Sequence, residues 1–148
     1  MRITTRGRYA LRAILAMARM GNDGSPVSIR SLSEIEEISP VFLEQIFFRL
    51  RKAGIVSSVR GPGGGFCFTQ PLSSLTIKNI LDAAGENLEC TFCKKNAPDC
   101  SRKSYCLSHP ILVEVSNLVN SYLGTITLES LLKNQHILSE SRTSVQAL

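Results

Sequence analysis

Between Cys90 and His109 the chain reads Cys-x2-Cys-x6-Cys-x5-Cys-x2-His, which takes in four of its five cysteines and one of its two histidines. Thiolate sulfur and imidazole nitrogen bind zinc, copper or the irons of an iron–sulfur cluster. The segment ECTFCKKNAPDCSRKSYCLSHP carries almost no aliphatic side chain, so it cannot pack a core for itself and needs such a tie. Three chemistries are open on spacing alone. A zinc ion would take Cys90, Cys93, Cys100 and Cys106, because Cys-x2-Cys suits the reach of one tetrahedral ion. An iron–sulfur cluster would take four of the five donors, and a thiol switch would need only a reactive pair such as Cys90 and Cys93. His109 stands beside Pro110 at a helix start, three residues past Cys106, which holds its ring near a thiol and marks it as a candidate ligand. Cys67, between two phenylalanines, reads as a small structural residue. Nothing near His136 makes it a ligand.

The elements that must position this loop are helical. Leu11, Ile14, Leu15 and Ala18 recur at helical spacing and predict a first helix near residues 5–20, stopped by Gly21 and Gly24. Ser28 caps a second helix whose Ile29, Leu32 and Ile35 are expected to face inward. Ser39-Pro40 opens a third, with Leu43, Ile46, Phe47 and Leu50 on its core side and Gly54 at its end. Two helices joined by a short turn read as helix-turn-helix. Val41, Glu44, Gln45, Phe48, Arg49 and Lys52 then project outward, and among them Gln, Glu and Arg have the donors and acceptors that read base edges. Two β-branched or aromatic strands, 55–59 and 66–69, flank Arg60-Gly61-Pro62-Gly63-Gly64-Gly65, a hairpin tip too glycine-rich to pack against anything. A hairpin directly after a helix-turn-helix is a wing, and Arg60 at its tip is placed to enter a minor groove. The loop lacks the Gly-Lys-Ser/Thr ending of a nucleotide-phosphate loop and runs into a strand, so that reading is rejected. Thr76 caps a fourth helix with Ile77, Ile80, Leu81 and Ala84 on one face, closed by Gly85. After the cysteines, Pro110 is expected to open a long helix carrying Ile111, Leu112, Val115, Leu118, Val119, Tyr122, Leu123 and Ile126. That apolar face is too wide for so small a chain to cover, which predicts packing against a second copy in a homodimer.

Composition bounds the class. The 148 residues are 43% hydrophobic and 20% charged, as in an ordinary globular domain. No apolar run reaches the roughly 18 residues of a membrane span, and arginines at 6, 8, 12 and 19 interrupt every candidate signal segment. No membrane partner is expected, and a cytoplasmic location, where clustered thiols favour metal over disulfides, is. The net charge of +5 is unevenly placed: residues 1–60 hold ten Lys or Arg against five Asp or Glu, and residues 61–148 hold seven of each. That is the footprint of a polyanion-binding module joined to a neutral second part. No nucleophile–base pair or paired carboxylates are evident, so the chain does not read as an enzyme.

The segments MRITTRGRYALRAIL, FLEQIFFRLRKAGIVSSVRGPGGGF and TITLESLLKNQ, with the Cys93, Cys100, Cys106, His109 set, make residues 1 to about 138 resemble the Rrf2 family of bacterial transcription regulators, and most nearly its iron–sulfur-sensing members. The resemblance implies a homodimeric winged helix that binds a double-stranded DNA operator, usually as a repressor of iron–sulfur assembly genes, and holds a [2Fe–2S] cluster through Cys93, Cys100, Cys106 and His109. It places Glu44 and Gln45 at bases with Ser39 and Phe42 close by, Arg60 and Gly61 at the minor groove, and Arg51 and Ser58 at phosphates. The expected fold is mainly α with a small β-hairpin wing and a long C-terminal dimerisation helix. Its expected parts are a DNA-binding domain over 1–85, a cluster loop over 86–109, a dimerisation helix and C-terminal segment over 110–133 and a flexible tail over 134–148. Two departures bear on the ligands: the Cys93–Cys100 gap is one residue longer than in the near relative, and Cys90 is an extra thiol. Val41 stands where the relative has a serine that contacts DNA. Arg8 follows the relative, whereas family members that recruit a carboxylate ligand from the partner chain carry an acid there. The alternative is a zinc-stapled or thiol-redox regulator without an iron–sulfur cluster.

Overall fold

Each of the first four helices begins where a hydroxyl side chain can satisfy N–H groups that its first turn leaves unpaired. In the computed structural model, which describes residues 2–21, 23–89, 100–102 and 105–134, Thr4 caps α1 (Thr5–Met20), Ser28 caps α2 (Ile29–Glu36) and Ser39 caps α3 (Pro40–Lys52), where Pro40 occupies the first helical turn. The hairpin strands β1 (Val56–Val59) and β2 (Gly65–Phe68) follow, then α4 (Ile77–Ala84) with a reciprocal Thr76–Asn79 capping box, then α5 (Ser108–Thr125). The first four helices share one core. Ala10, Ala13, Ile14 and Met17 of α1 meet Leu32 of α2, Leu43, Ile46, Phe47 and Leu50 of α3, and Ile77, Ile80, Leu81 and Ala84 of α4. Mainly α with a two-stranded wing is therefore the observed class.

Several details depart from the sequence expectation. On α1 the fully buried positions are chiefly small residues, with Leu11 and Leu15 only half-buried, because close helix–helix approach there is made by alanines. Ile35 does not face inward; it is 57% exposed, since the eight residues of α2 present only Leu32 squarely to the core. The strands pair antiparallel as Val56↔Phe68, Ser57↔Cys67, Ser58↔Phe66 and Val59↔Gly65. Ile55 belongs to the helix exit, its N–H reaching Leu50 O at 3.0 Å. Pro110 does not open α5; the helix starts two residues earlier, which its first turn allows because those N–H groups have no intrahelical acceptor. His109 thus lies inside the helix.

The turn of the glycine-rich tip stays open, with nothing near Gly61 or Gly63, but its last residue packs: a Cβ at Gly65 would run into the backbone carbonyl of Val27. The two segments meet there in a bridge: Phe66 N–H donates to Val27 O at 2.8 Å and Val27 N–H to Phe66 O at 2.9 Å. The wing is in this way stitched to the segment that enters α2.

A second long-range tie closes the base of the module. Glu86, one residue past the left-handed Gly85 cap of α4, has no solvent-exposed side-chain surface. Its carboxylate accepts from the Thr4 backbone N–H at 2.9 Å and from the Thr4 hydroxyl. A Cβ at position 7 would stand 2.6 Å from Glu86 Cγ, so Gly7 is what lets the acid reach the start of α1.

Beyond α5 the chain returns to the core: Ile77 N–H donates to Ile126 O and Leu128 N–H to Leu75 O, both at 2.9 Å, and Leu128 is fully buried. Leu123 and Ile126 pack on the same core, while Ile111, Leu118 and Tyr122 are each more than 60% exposed. The expected tail, 134–148, lies outside the described residues except for Asn134. No helix among the described residues is long and apolar enough to cross a membrane.

Two expectations follow from the fold. Phe47→Ala should cost about 3–5 kcal/mol in urea unfolding, by loss of buried area and an unfilled cavity. Glu37 holds the turn between α2 and α3 at φ +52°, a conformation costing a non-glycine residue about 1 kcal/mol or more. Glu37→Gly should raise stability by about 0.5 kcal/mol once the extra unfolded-state freedom of glycine is deducted, seen as a higher urea midpoint at unchanged m.

Candidate functional site

Burial of one stripe of α3 dictates what its other side presents. With Leu43, Ile46, Phe47 and Leu50 inaccessible to solvent, Val41, Glu44, Gln45, Phe48, Arg49 and Lys52 are exposed together. Ser39 Oγ accepts from Phe42 N–H at 3.2 Å, which occupies a lone pair and leaves the hydroxyl proton free to donate. Phe42 is an anchor more than a reader: it is half-buried and meets Tyr9 edge-on at 5.6 Å between ring centroids, and Arg12 covers the same tyrosine. Glu44 and Gln45 border a shallow hollow of about 520 Å³ that reaches from α3 to Arg6 of α1.

The wing is held in a fixed relation to this helix. Phe47 and Phe66 pack ring against ring at a tilt of 48° with centroids 4.8 Å apart. Arg51 Nη1 lies 3.5 Å from Ser58 Oγ, and its guanidinium sits over Phe48. Gly61 and Gly63 take φ of +104° and +73°, which turn the tip and leave Arg60 exposed with no partner among the described residues. Helix and wing therefore offer one continuous face carrying Arg49, Arg51, Lys52 and Arg60, with base-reading groups at its centre. Such a face fits a duplex: cations for phosphates, Glu44 and Gln45 for base edges, and Arg60 for a groove of negative potential.

The cysteine region is described in part. Cys90 and Cys93 lie outside the described residues, as does His136. Cys100 is exposed and Cys106 half-buried at the approach to α5. Cys106 Sγ and Ser108 Oγ form a 3.2 Å hydrogen bond. That bond, with further donation from the His109 backbone N–H, holds the thiol below the ordinary cysteine range. His109 is half-buried in the first turn of α5, and its Nδ1 is buried with no hydrogen-bond partner among the described residues. A buried imidazole nitrogen without a partner is costly. Beside a thiol biased toward thiolate, it suits a soft or borderline metal. Among the described residues, no three His, Cys, Asp or Glu side chains gather at metal-binding distance. Cys67 sits apart on β2, half-buried with Sγ 3.8 Å from Gly24 O, as a structural residue would.

Glu86, Thr4 and Arg6 escaped the reading of the sequence. One acid after a helix-closing glycine carries no local signal, and its partners are about eighty residues away in the chain.

A family model described as Rrf2, iron-dependent transcriptional regulator, matches residues 3–134. The HTH-type transcriptional regulator IscR of Xenorhabdus nematophila is 41% identical over 138 residues, spanning 93% of this chain and 83% of its own. Among solved structures, T. potens IscR is similar with a TM-score of 0.73 at 27% identity, covering 91% of this chain and 88% of its own. CymR, the global cysteine regulator of B. subtilis, gives 0.71 at 26% identity, covering 88% and 95%.

Gln45→Ala should cost about 1–3 kcal/mol of discrimination at a single base pair, measured by competition among singly substituted duplexes. Arg60→Ala should leave the unfolding midpoint unchanged, because the side chain touches nothing, and weaken duplex binding measured by anisotropy.

Proposed function

The chain belongs to the Rrf2 family of transcriptional regulators, and we propose that within it this protein is a homodimeric repressor whose grip on its operator reports iron–sulfur supply. On this reading a [2Fe–2S] cluster is held by Cys93, Cys100, Cys106 and His109, and the genes controlled are those of iron–sulfur assembly. The observation that carries the proposal is His109 Nδ1, buried without a hydrogen-bond partner among the described residues, three residues from a thiol held below its usual range. The relatedness to IscR proteins over nine-tenths of the chain supports the cluster type. The operator is read by Glu44 and Gln45, with Ser39 and Phe42 close by, Arg51 and Ser58 at phosphates, and Arg60 and Gly61 in the minor groove.

When bound, such a cluster supplies a tie between its ligands that lasts only while iron, sulfide and a tolerable redox state do. The chain's own residues determine what that tie moves. Cys106 and His109 bring one end to the first turn of α5, and Glu86 roots the other end of the segment on Thr4 at the start of α1. The exposed Ile111, Leu118 and Tyr122 of α5 pack on a second copy. A change in the segment's span thereby alters how far apart two copies of α3 stand. Cluster occupancy shifts this balance only through its different affinity for the two dimer arrangements.

A second reading is a thiol switch working without iron, favoured by the lowered Cys106 thiol and by the similarity to the cysteine regulator CymR. Protein isolated without oxygen distinguishes the two. The cluster reading expects a brown solution whose visible and Mössbauer spectra change in His109→Ala and persist in Cys90→Ala, and an operator affinity that differs with and without cluster at fixed salt. A colourless protein that neither holds nor accepts iron and sulfide sinks it. If that iron-free protein still changed affinity reversibly on mild oxidation, the thiol switch would stand instead.

A further inference from the structure

Arg6 near the start of α1 and Arg49 near the end of α3 converge on Gly85. A Cβ placed on that glycine would lie 3.5 Å from Arg6 Nη2 and 3.2 Å from Arg49 Nη1. Gly85 adopts φ +81°, and the absence of a side chain there gives both guanidinium groups room. Arg6 Nη2 donates to Gly85 O at 3.2 Å and stands 3.9 Å from Glu86 Oε1. Glu86 is already engaged by the two Thr4 donors.

Arg6 Nε is buried with no hydrogen-bond partner among the described residues. Arg49 has neither a hydrogen bond nor a carboxylate within 4.0 Å among the described residues, and Glu44, the acid in the same hollow, pairs with neither arginine. The two guanidinium groups flank the same glycine, and the carboxylate near them, Glu86, stands 3.9 Å from Arg6 and is shared with Thr4. Like charges on one hollow, and an unpaired donor in a buried position, favour a further anion there. The anion must be one that α3 meets when it docks, because Arg6 and Arg49 border the hollow beside Glu44 and Gln45.

We propose that Arg6 and Arg49 together clamp one DNA backbone phosphate beside the bases that Glu44 and Gln45 read. A phosphodiester has two unesterified oxygens, which suits two forked cations approaching from different helices. Such a contact fixes the register of the recognition helix and carries no sequence preference of its own. The site rests on the DNA-binding reading above and extends it to residues on α1. It also stands on Glu86, where the chain leaves α4 for the cysteine segment.

The experiment is a salt titration of full-length protein on a duplex selected from a random library by the wild type. Arg6→Gln and Arg49→Gln should each flatten the slope of log affinity against log salt, and the double variant should flatten it by about 0.9 per subunit, because the pair neutralises one phosphate; that is roughly an eightfold loss at 0.1 M salt. The loss should be equal on the selected duplex and on mismatched ones, and Arg6→Lys should keep most of the slope. Replacing the single contacted phosphate by an uncharged methylphosphonate should weaken wild type, weaken Arg49→Gln less, and leave the double variant unaffected. Arg49 has no hydrogen-bond or ion-pair partner among the described residues, so its variant carries the test even if Arg6→Gln disturbs the Glu86 contact and fails to fold. Slopes unchanged in the folded variants, or no methylphosphonate that weakens wild type more than Arg49→Gln, overturn the clamp alone. A wild type that selects no duplex overturns the DNA-binding reading itself.

Discussion

Leu43, Ile46, Phe47 and Leu50 are wholly removed from water, and this burial aims the rest of α3. At about 1.5–3 kcal/mol for each large apolar side chain, the stripe contributes about 6–12 kcal/mol before any entropy is deducted, comparable to the whole net stability of a domain. A helix so strongly committed on one side cannot roll. Glu44 and Gln45 are therefore presented at a defined angle, and Phe47 extends the constraint to the wing by its tilted ring contact with Phe66. The DNA-facing surface is the consequence of a packing decision made on the opposite side of the same helix.

Two further contacts turn the helices into a frame with fixed edges. The Val27–Phe66 bridge ties the wing to the entry of α2, and only a glycine at position 65 permits so close a backbone approach. The Glu86–Thr4 contact joins the end of α4 to the first turn of α1, and Gly7 is its steric condition. Both glycines are defined by what lies against them and not by the turn they make. The second contact lies where the chain leaves α4 toward the cysteine segment.

The α5 helix is of a different kind. It is anchored at its far end, where Leu123, Ile126 and the returning Leu128 pack on the core, and it stands uncovered along its first turns. A single chain leaves an apolar ridge in water there, the sort of surface that soluble proteins reserve for association. His109 lies in the first turn of the same helix, so the element with the exposed apolar ridge also carries a candidate ligand.

Much of this was readable from residue order alone. Caps at Ser28, Ser39 and Thr76, the heptad-like stripe of α3 and the β-branched strands around a glycine-rich tip are local signals, decided by neighbours within one or two turns. The cysteine and histidine spacing is equally local, and it narrowed the chemistry to soft-metal or thiol work without choosing among ligand sets. What the one-dimensional chain could not express was any contact made across it: Ile35 turned to solvent, Gly65 pressed on Val27, His109 left with an unsatisfied nitrogen, Arg6 meeting Arg49 over Gly85. Periodicity reports which face of an element is apolar, because that depends on positions three and four apart. Which surface closes over that face, and which distant acid or cation arrives beside it, is decided only when separate elements compete for the same core.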